Sequence, residues 1–235
     1  MIGSRARTRR GSQGEAEKPF WISFADLMTA LMVLFLVVMA VALLAVTRTV
    51  SAREALEAQH KKDVDNCMAQ AVTAAERHKG VKVDLDRRVI DFGDRARFAF
   101  GSSVLAPEQE AVLRRFVPEL LSMAQTPSCK RVLKRVVVEG YTDRAGTYLG
   151  NLNLSLMRSQ RVLCAMFTTS GADALTEAQK DAVRDVFLVG GFAFNSSKDT
   201  AEESRRVEMR LEFLGVEEKP IASPATSGNF GACAI

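Results

Sequence analysis

The sequence predicts an α/β domain carried behind a single N-terminal transmembrane helix. Three observations predict it. Residues 20–46 form an apolar run holding one charge, Asp26, while both flanks are charged. From residue 81 onward, short strand-like stretches interleave with longer ones of helical period, the pattern of an α/β sandwich. The average composition, 47% apolar and 26% charged, is that of a globular chain, so the apolar run is a local feature.

Residues 1–19 are small, polar and basic, with Arg5, Arg7, Arg9, Arg10 and Lys18 set against Glu15 and Glu17. Beside a membrane span this reads as a cytoplasmic tail retained by the positive-inside rule, so the net charge of +4 calls for no nucleic-acid partner. Residues 20–46 exceed the roughly 20 that a helical span of a lipid bilayer needs. Trp21 stands at the inner edge and Arg48 just past the outer one. A cleaved signal peptide has an apolar core of about 7–15 residues. This run is longer, contains an acid, and continues past Ala40-Val41-Ala42, the triplet that resembles a cleavage site.

Residues 47–80 read as a juxtamembrane helical linker, rich in Ala, Glu, Lys, Gln and Arg. Val64, Cys67/Met68, Ala71/Val72 and Ala75 repeat at helical spacing, so this helix either pairs or plugs, or is a solvated connector. His60 and His78 have no partners in the sequence pattern and read as solvated.

Residues 81–215 carry the order β-α-β-α-β-β. Residues 81–85 alternate like a strand and 89–92 extend the β signal; 107–124 is a helix containing Pro118; 131–140 is a strand; 152–169 is a helix; 187–192 and 207–213 are strands. Residues 216–235 are rich in Pro, Gly, Ser and Ala and read as a tail.

Two constellations carry chemistry. Asp26 lies roughly 9 Å into the span at 1.5 Å per residue. A carboxyl inside a membrane costs about 2.5–3.5 kcal/mol on insertion scales and needs a partner or a polar cavity. Ser23, Thr29 and Ala30 stand three and four residues away and give a narrow face suited to close helix packing. A carboxyl so placed serves as a proton relay, or sits at the headgroups, or caps the helix start. The stretch Phe24-Ala25-Asp26-Leu27-Met28-Thr29-Ala30-Leu31-Met32, followed by Leu34-Phe35-Leu36-Val37, closely resembles the membrane helix of the stator subunit MotB and its relatives. The resemblance implies that Asp26 binds the translocated ion, H+ or Na+, with Trp21 and Thr29 at matching positions.

The second constellation follows the strand at 131–140. Asp143 stands in the loop after it, and Arg158 on the next helix. A carboxylate and a guanidinium together can hold a zwitterion, or can form a salt bridge that binds nothing. The stretch resembles OmpA-like peptidoglycan-binding domains at Gly140, Thr142, Asp143, Gly146, Asn151, Leu154, Ser155 and Arg158, and again at Arg205-Arg206-Val207-Glu208. In that family the Asp and Arg clasp the diaminopimelate of the peptide stem. The resemblance therefore implies an OmpA-like domain binding peptidoglycan through Thr142, Asp143, Asn151, Leu154, Arg158, Arg205 and Arg206. Tyr141 and Ser204 depart from the family's usual His and Asn.

Taken together, the resemblances imply a MotB-like subunit of an ion-driven motor. Its partner would be a polytopic subunit of the MotA/ExbB kind, five copies around a dimer of this chain. The Pro-Phe-Trp-Ile-Ser-Phe-Ala-Asp start and short linker look most like ZorB, the MotB-like component of Zorya anti-phage defence systems. A flagellar stator subunit and a passive wall tether are the alternatives. No nucleophile–base pair, phosphate loop or metal cluster supports an enzyme, and no cofactor is expected.

Cys67, Cys129, Cys164 and Cys233 all follow the span, which makes disulfides available if that part is exported. Cys129 immediately precedes the strand at 131–140, which covers about 30 Å at 3.3 Å per residue. The following helix runs back and brings Cys164 about 18 Å along it. A Cys129–Cys164 bridge is therefore expected, leaving Cys67 for Cys233; the alternative is that Cys164 is a small core residue.

Overall fold

A computed structural model describes residues 18–168, 171, 173–219, 228 and 230–233. Most of the expected tail at 1–19 and more than half of that at 216–235 lie outside them. The chain divides into two compact units, Met1–Leu56 and Glu57–Ile235.

Helix α1 runs unbroken over Lys18–Glu76. After Pro19 it contains neither Pro nor Gly, so nothing in the backbone interrupts it. It ends in a turn at Gly80, whose φ of +91° suits glycine. Within the first unit, the side chains from Trp21 onward are exposed. This helix is long and apolar enough to cross a membrane by length and composition.

The second unit adds β1 (Lys82–Asp84), β2 (Val89–Asp91), α2 (Pro107–Ala124), α3 (Pro127–Val132), β3 (Leu133–Gly140), α4 (Tyr148–Phe167), α5 (Glu177–Val186), β4 (Phe187–Gly191), α6 (Ala201–Ser204) and β5 (Val207–Phe213). The strands form one sheet in the order β1-β2-β5-β3-β4; β3 and β4 are parallel and the other neighbours antiparallel. The expected elements are present, and α3, α5 and α6 stand between them. The β signal at 81–92 is a hairpin that turns through Arg88, itself at φ 54°.

Alternation along the strands assigns the two faces of the sheet. Ile90, Val136, Val138, Val207, Met209 and Leu211 enter the core. There they join Leu113, Phe116 and Leu120 of α2, Val162 and Met166 of α4, and Val183 of α5. Val64, Cys67, Met68, Ala71 and Ala75 of α1 belong to the same core. The expected linker is therefore not a separate element: its sequence from Glu57 on is part of the domain. His60 and His78, expected to be solvated, are instead half-buried and partnered. His60 Nε2 lies 2.8 Å from the Leu214 carbonyl, and His78 Nε2 lies 2.9 Å from Glu119 Oε1.

The opposite face of the sheet carries charge. Glu139 of β3 takes two hydrogen bonds from Arg210, at 2.6 and 2.9 Å, and one from the Tyr141 hydroxyl at 2.7 Å. Glu208, fully buried, is reached by Arg206 at 2.7 Å and Arg87 at 2.6 Å. Buried carboxylates are stable there because each is paired and hydrogen-bonded.

Disulfides join Cys67 to Cys129 and Cys164 to Cys233. This overturns the expected Cys129–Cys164 bridge and the Cys67–Cys233 remainder. Lengths along the strand and helix brought the two sulfurs to one end of the domain, but said nothing of the faces. Cys129 sits in α3, fully buried in the core that α1 shares. The buried stripe of α4 runs through Ser155, Arg158, Ser159, Val162, Ala165 and Met166. Cys164 lies off that stripe and meets the tail, where Phe230 stacks on Phe167.

Candidate functional site

In the first unit, Asp26, Thr29, Ala30, Val33, Leu34 and Val37 lie on one face of α1 and line a shallow groove between side chains. They recur at three- and four-residue intervals, which puts them in one stripe. The Thr29 hydroxyl donates to the Asp26 carbonyl at 2.8 Å. The hydroxyl is thereby satisfied within the helix, and the Asp26 carboxylate projects from a surface of small and apolar groups.

In the second unit, the site is built where β3 ends. Gly140 closes the strand against α4, and the chain continues through Tyr141, Thr142 and Asp143. The Tyr141 amide donates to the Arg206 carbonyl (2.9 Å) and the Thr142 amide to that of Ala193 (2.8 Å), so this segment is held from both sides. Asp143 then turns: its Oδ1 accepts from the Ala145 amide at 3.1 Å, and the Asn151 side chain fastens the loop by donating to the Ala145 carbonyl at 2.7 Å. Thr147 caps α4 by accepting from the Gly150 amide.

Asp143 Oδ2 accepts from Arg205 Nη1 at 3.0 Å. Arg158 makes no direct bond to Asp143. Its Nε donates to the Ser102 carbonyl (2.9 Å), Nη1 to that of Tyr141 (2.7 Å) and Nη2 to that of Ala99 (3.2 Å). The guanidinium also stands over the Phe98 ring, 5.0 Å from its centroid. Burial pushes the Arg158 pKa down to about 10, with Asp143 opposing and Arg205 adding to the shift. The Thr142 hydroxyl is buried and has no hydrogen-bond partner among the described residues.

Thr142, Asp143, Asn151, Arg158 and Arg205 are thus brought together at one end of the sheet. Leu154 is half-buried on α4. Arg206 belongs elsewhere: it is buried, pairs with Glu208 and stacks over Tyr141 at 4.3 Å, in the charged face of the sheet. The turn carrying Ala99 and Ser102 contributes carbonyls that sequence reasoning did not single out, because a backbone acceptor leaves no residue-type signal. Tyr141 supplies a hydroxyl to Glu139, and Ser204 accepts from the Lys198 amide at 2.9 Å, so both departures from the OmpA pattern are structurally occupied. Among the described residues no group of three His, Cys, Asp or Glu side chains could hold a metal ion.

Two family models match the chain: the membrane MotB of the proton-channel complex MotA/MotB over residues 5–58, and the OmpA family over residues 97–195. The Zorya protein ZorB of Escherichia coli O139:H28 (strain E24377A / ETEC) is 38% identical over 222 residues, covering 93% of this chain and 90% of that protein. The chain belongs to the ZorB family. Among solved structures, a putative MotB-like protein from Desulfovibrio vulgaris is 20% identical, covering 68% of this chain and 98% of that one, with a TM-score of 0.39. The cell wall anchor of the T6SS from Pseudomonas aeruginosa is 23% identical, covering 62% and 96%, with a TM-score of 0.38. The family models and the ZorB relative together make this chain a MotB-like, stator-type subunit with an OmpA domain.

Proposed function

We propose that this chain is the ion-carrying, peptidoglycan-anchored subunit of a proton-driven motor in the bacterial inner membrane, acting in anti-phage defence of the Zorya type. The observation that carries the reading is Asp26, the sole charge in an apolar span and within the matched MotB segment. One unit charge crossing 100 mV releases about 2.3 kcal/mol, and a carboxylate that gains and loses a proton can couple that energy to movement. A single helix with one carboxyl cannot form a closed path through lipid. The scheme therefore requires a polytopic partner; the resemblance to MotB supports one of the MotA kind, five copies around two of this chain, and the proposed ion is H+.

The two disulfides support the orientation. They persist in oxidising compartments, so a domain that depends on them belongs in the periplasm, with the basic N-terminus inside. The outer domain grips peptidoglycan through Asp143 and its neighbouring arginines, which fixes this subunit while the partner moves.

The test is Asp26→Asn. Asn keeps the shape but cannot cycle a proton, so the variant is expected to assemble with its partner and bind sacculi while losing both proton flux and phage protection. Wild-type flux in Asp26→Asn vesicles energised with a potential would sink the motor reading. Flux that follows sodium and ignores pH would replace H+ with Na+.

A further inference from the structure

The two disulfides differ in setting. Cys67 and Cys129 are both 0% exposed, and hydrogen bonds one turn to either side hold the same two helices together. Cys164 is half-buried and Cys233 exposed. Cys164 lines a cleft of about 840 Å3 with Arg161, Leu163, Phe167 and Phe187, and the Phe230–Cys233 segment forms one of its walls. Among the described residues no hydrogen bond joins that segment to the domain. Cys233 is bonded to Cys164, and the Phe230 ring stands 4.9 Å from that of Phe167. One ring contact does not offset the entropy of ordering a chain segment, so the covalent bond decides whether the segment stays.

The cleft also favours cleavage of that bond. Arg161 stands one turn before Cys164 on α4. Its Nε is buried without a hydrogen-bond partner, and no carboxylate pairs with it among the described residues. Glu110, the acid in the cleft, pairs with Arg114 instead, at 3.3 Å. A cation near a sulfur stabilises its thiolate. Thiol–disulfide exchange is fastest where the attacker can reach one sulfur and the other leaves as a stabilised thiolate. Here the accessible sulfur is that of Cys233, and the cation is on the side of Cys164.

We propose that the Cys164–Cys233 bridge is a thiol–disulfide exchange site that fastens and releases the Phe230–Cys233 segment, while Cys67–Cys129 is a permanent staple. A dithiol is the reductant. Its thiolate attacks the Cys233 sulfur; a mixed disulfide forms as the bond to Cys164 breaks, and Cys164 departs as a thiolate. The second thiolate of the dithiol then attacks its own partner sulfur, and Cys233 is released. The dithiol ends as a disulfide, and its two protons end on Cys164 and Cys233. Release uncovers the Phe167 ring and opens the cleft. This role stands apart from wall binding and ion flow.

The experiment exposes full-length protein in detergent micelles to dithiothreitol under native conditions. Samples are quenched over time with N-ethylmaleimide, and labelled cysteines are located by peptide mapping. Cys164 and Cys233 are expected to label together, about 100-fold or more faster than Cys67 and Cys129, because only the first pair is reached without opening the core. Release is read by acrylamide quenching in a Phe230→Trp variant, with the Trp21 signal of the wild type subtracted. Quenching should rise as the bridge is reduced, and should be high without dithiol when Cys164→Ser is added. In reduced protein, the pH profile of Cys164 alkylation should move upward in Arg161→Gln and stay in place in Arg161→Lys, a split that a merely structural role for Arg161 would not produce. Labelling of all four cysteines at one rate, or of Cys67 and Cys129 first, would overturn the exchange site. Selective labelling with unchanged quenching would overturn the release, and an unmoved pH profile in Arg161→Gln would take Arg161 out of the chemistry.

Discussion

Cys67, midway along the second half of α1, is bonded to Cys129 in α3, across 62 residues of sequence. The bond does not act alone. One helical turn earlier, Asp63 takes a two-pronged hydrogen bond from Arg131, at 2.8 Å from Nε and 2.7 Å from Nη2. One turn later, Gln70 donates to the Ser128 hydroxyl at 2.9 Å. Three successive turns of α1 are thus fastened to the short helix that leads into β3, the strand that delivers Asp143.

Removing the bridge should loosen the whole domain. In the chain-entropy description, a loop of this length contributes about 4 kcal/mol by restricting the unfolded chain. Cys67→Ser and Cys129→Ser are expected to lower Tm by a similar amount, roughly 8–16 °C for a domain of this size. Thermal unfolding followed by circular dichroism, with and without reductant, measures it. Reductant should lower the wild type towards the variants and leave the variants less affected. A wild type indifferent to reductant, or a Cys67→Ser variant as stable as the wild type, would show that the remaining contacts hold α1 unaided.

What the sequence disclosed and what it hid follow from the same physics. The span and its acid were legible because membrane insertion demands a long apolar run and makes any charge in it conspicuous. Thr142, Asp143, Asn151, Arg158 and Arg205 were legible as a cluster through a motif at fixed spacing. The domain boundary was not: composition does not change at Glu57, where the second compact unit begins, because a helix needs the same residues whether docked or free. Helix α5 was also missed. It is only ten residues long, and its buried residues are Lys180 and Val183 alone. The capping box between Thr176 and Gln179 was the available signal. The pairing within the site depended on side-chain direction, so the exchange of Arg158 for Arg205 as the partner of Asp143 emerged only in the folded chain.

Acid should weaken the domain through at least two carboxylates. The hydrogen-bonded Arg131 holds the Asp63 pKa below its ordinary 3.8, with Gln59 assisting and burial opposing. At Asp91 burial is the strongest influence and pushes upward, but Lys198 and the Gly93 amide outweigh it, and the net shift is again downward. A folded-state pKa below the unfolded one gives stability that is complete above the unfolded value and lost as pH falls through the folded one. Tm should therefore hold steady from neutrality to about pH 5 and drop below about pH 4. Asp63→Asn should start lower and fall less steeply over that acid range. Parallel Tm curves for wild type and Asp63→Asn down to about pH 2 would remove Asp63 from the account.

The closest backbone approach in the site makes the sharpest prediction. Gly140 and Gly191 are register partners on the parallel strands β3 and β4, and α4 passes directly over both. A Cβ on Gly140 would lie 1.9 Å from the Ser155 carbonyl oxygen, and one on Gly191 would lie 2.8 Å from the Leu156 amide nitrogen. Both obstacles are backbone, so no side-chain rotation relieves them; strand and helix must separate. Gly140→Ala is expected to cost about 3 kcal/mol or more, at the upper end of overpacking effects. Because α4 carries Asn151 and Arg158 while β3 leads to Asp143, the separation also pulls the site apart, and sacculus binding should fall further than the loss of stability accounts for. Asn153→Ala, at an exposed position on the same helix, serves as the control and should leave both Tm and binding near wild type. A Gly140→Ala protein that melts like the wild type and still sediments with sacculi would mean that α4 does not sit against the strand end.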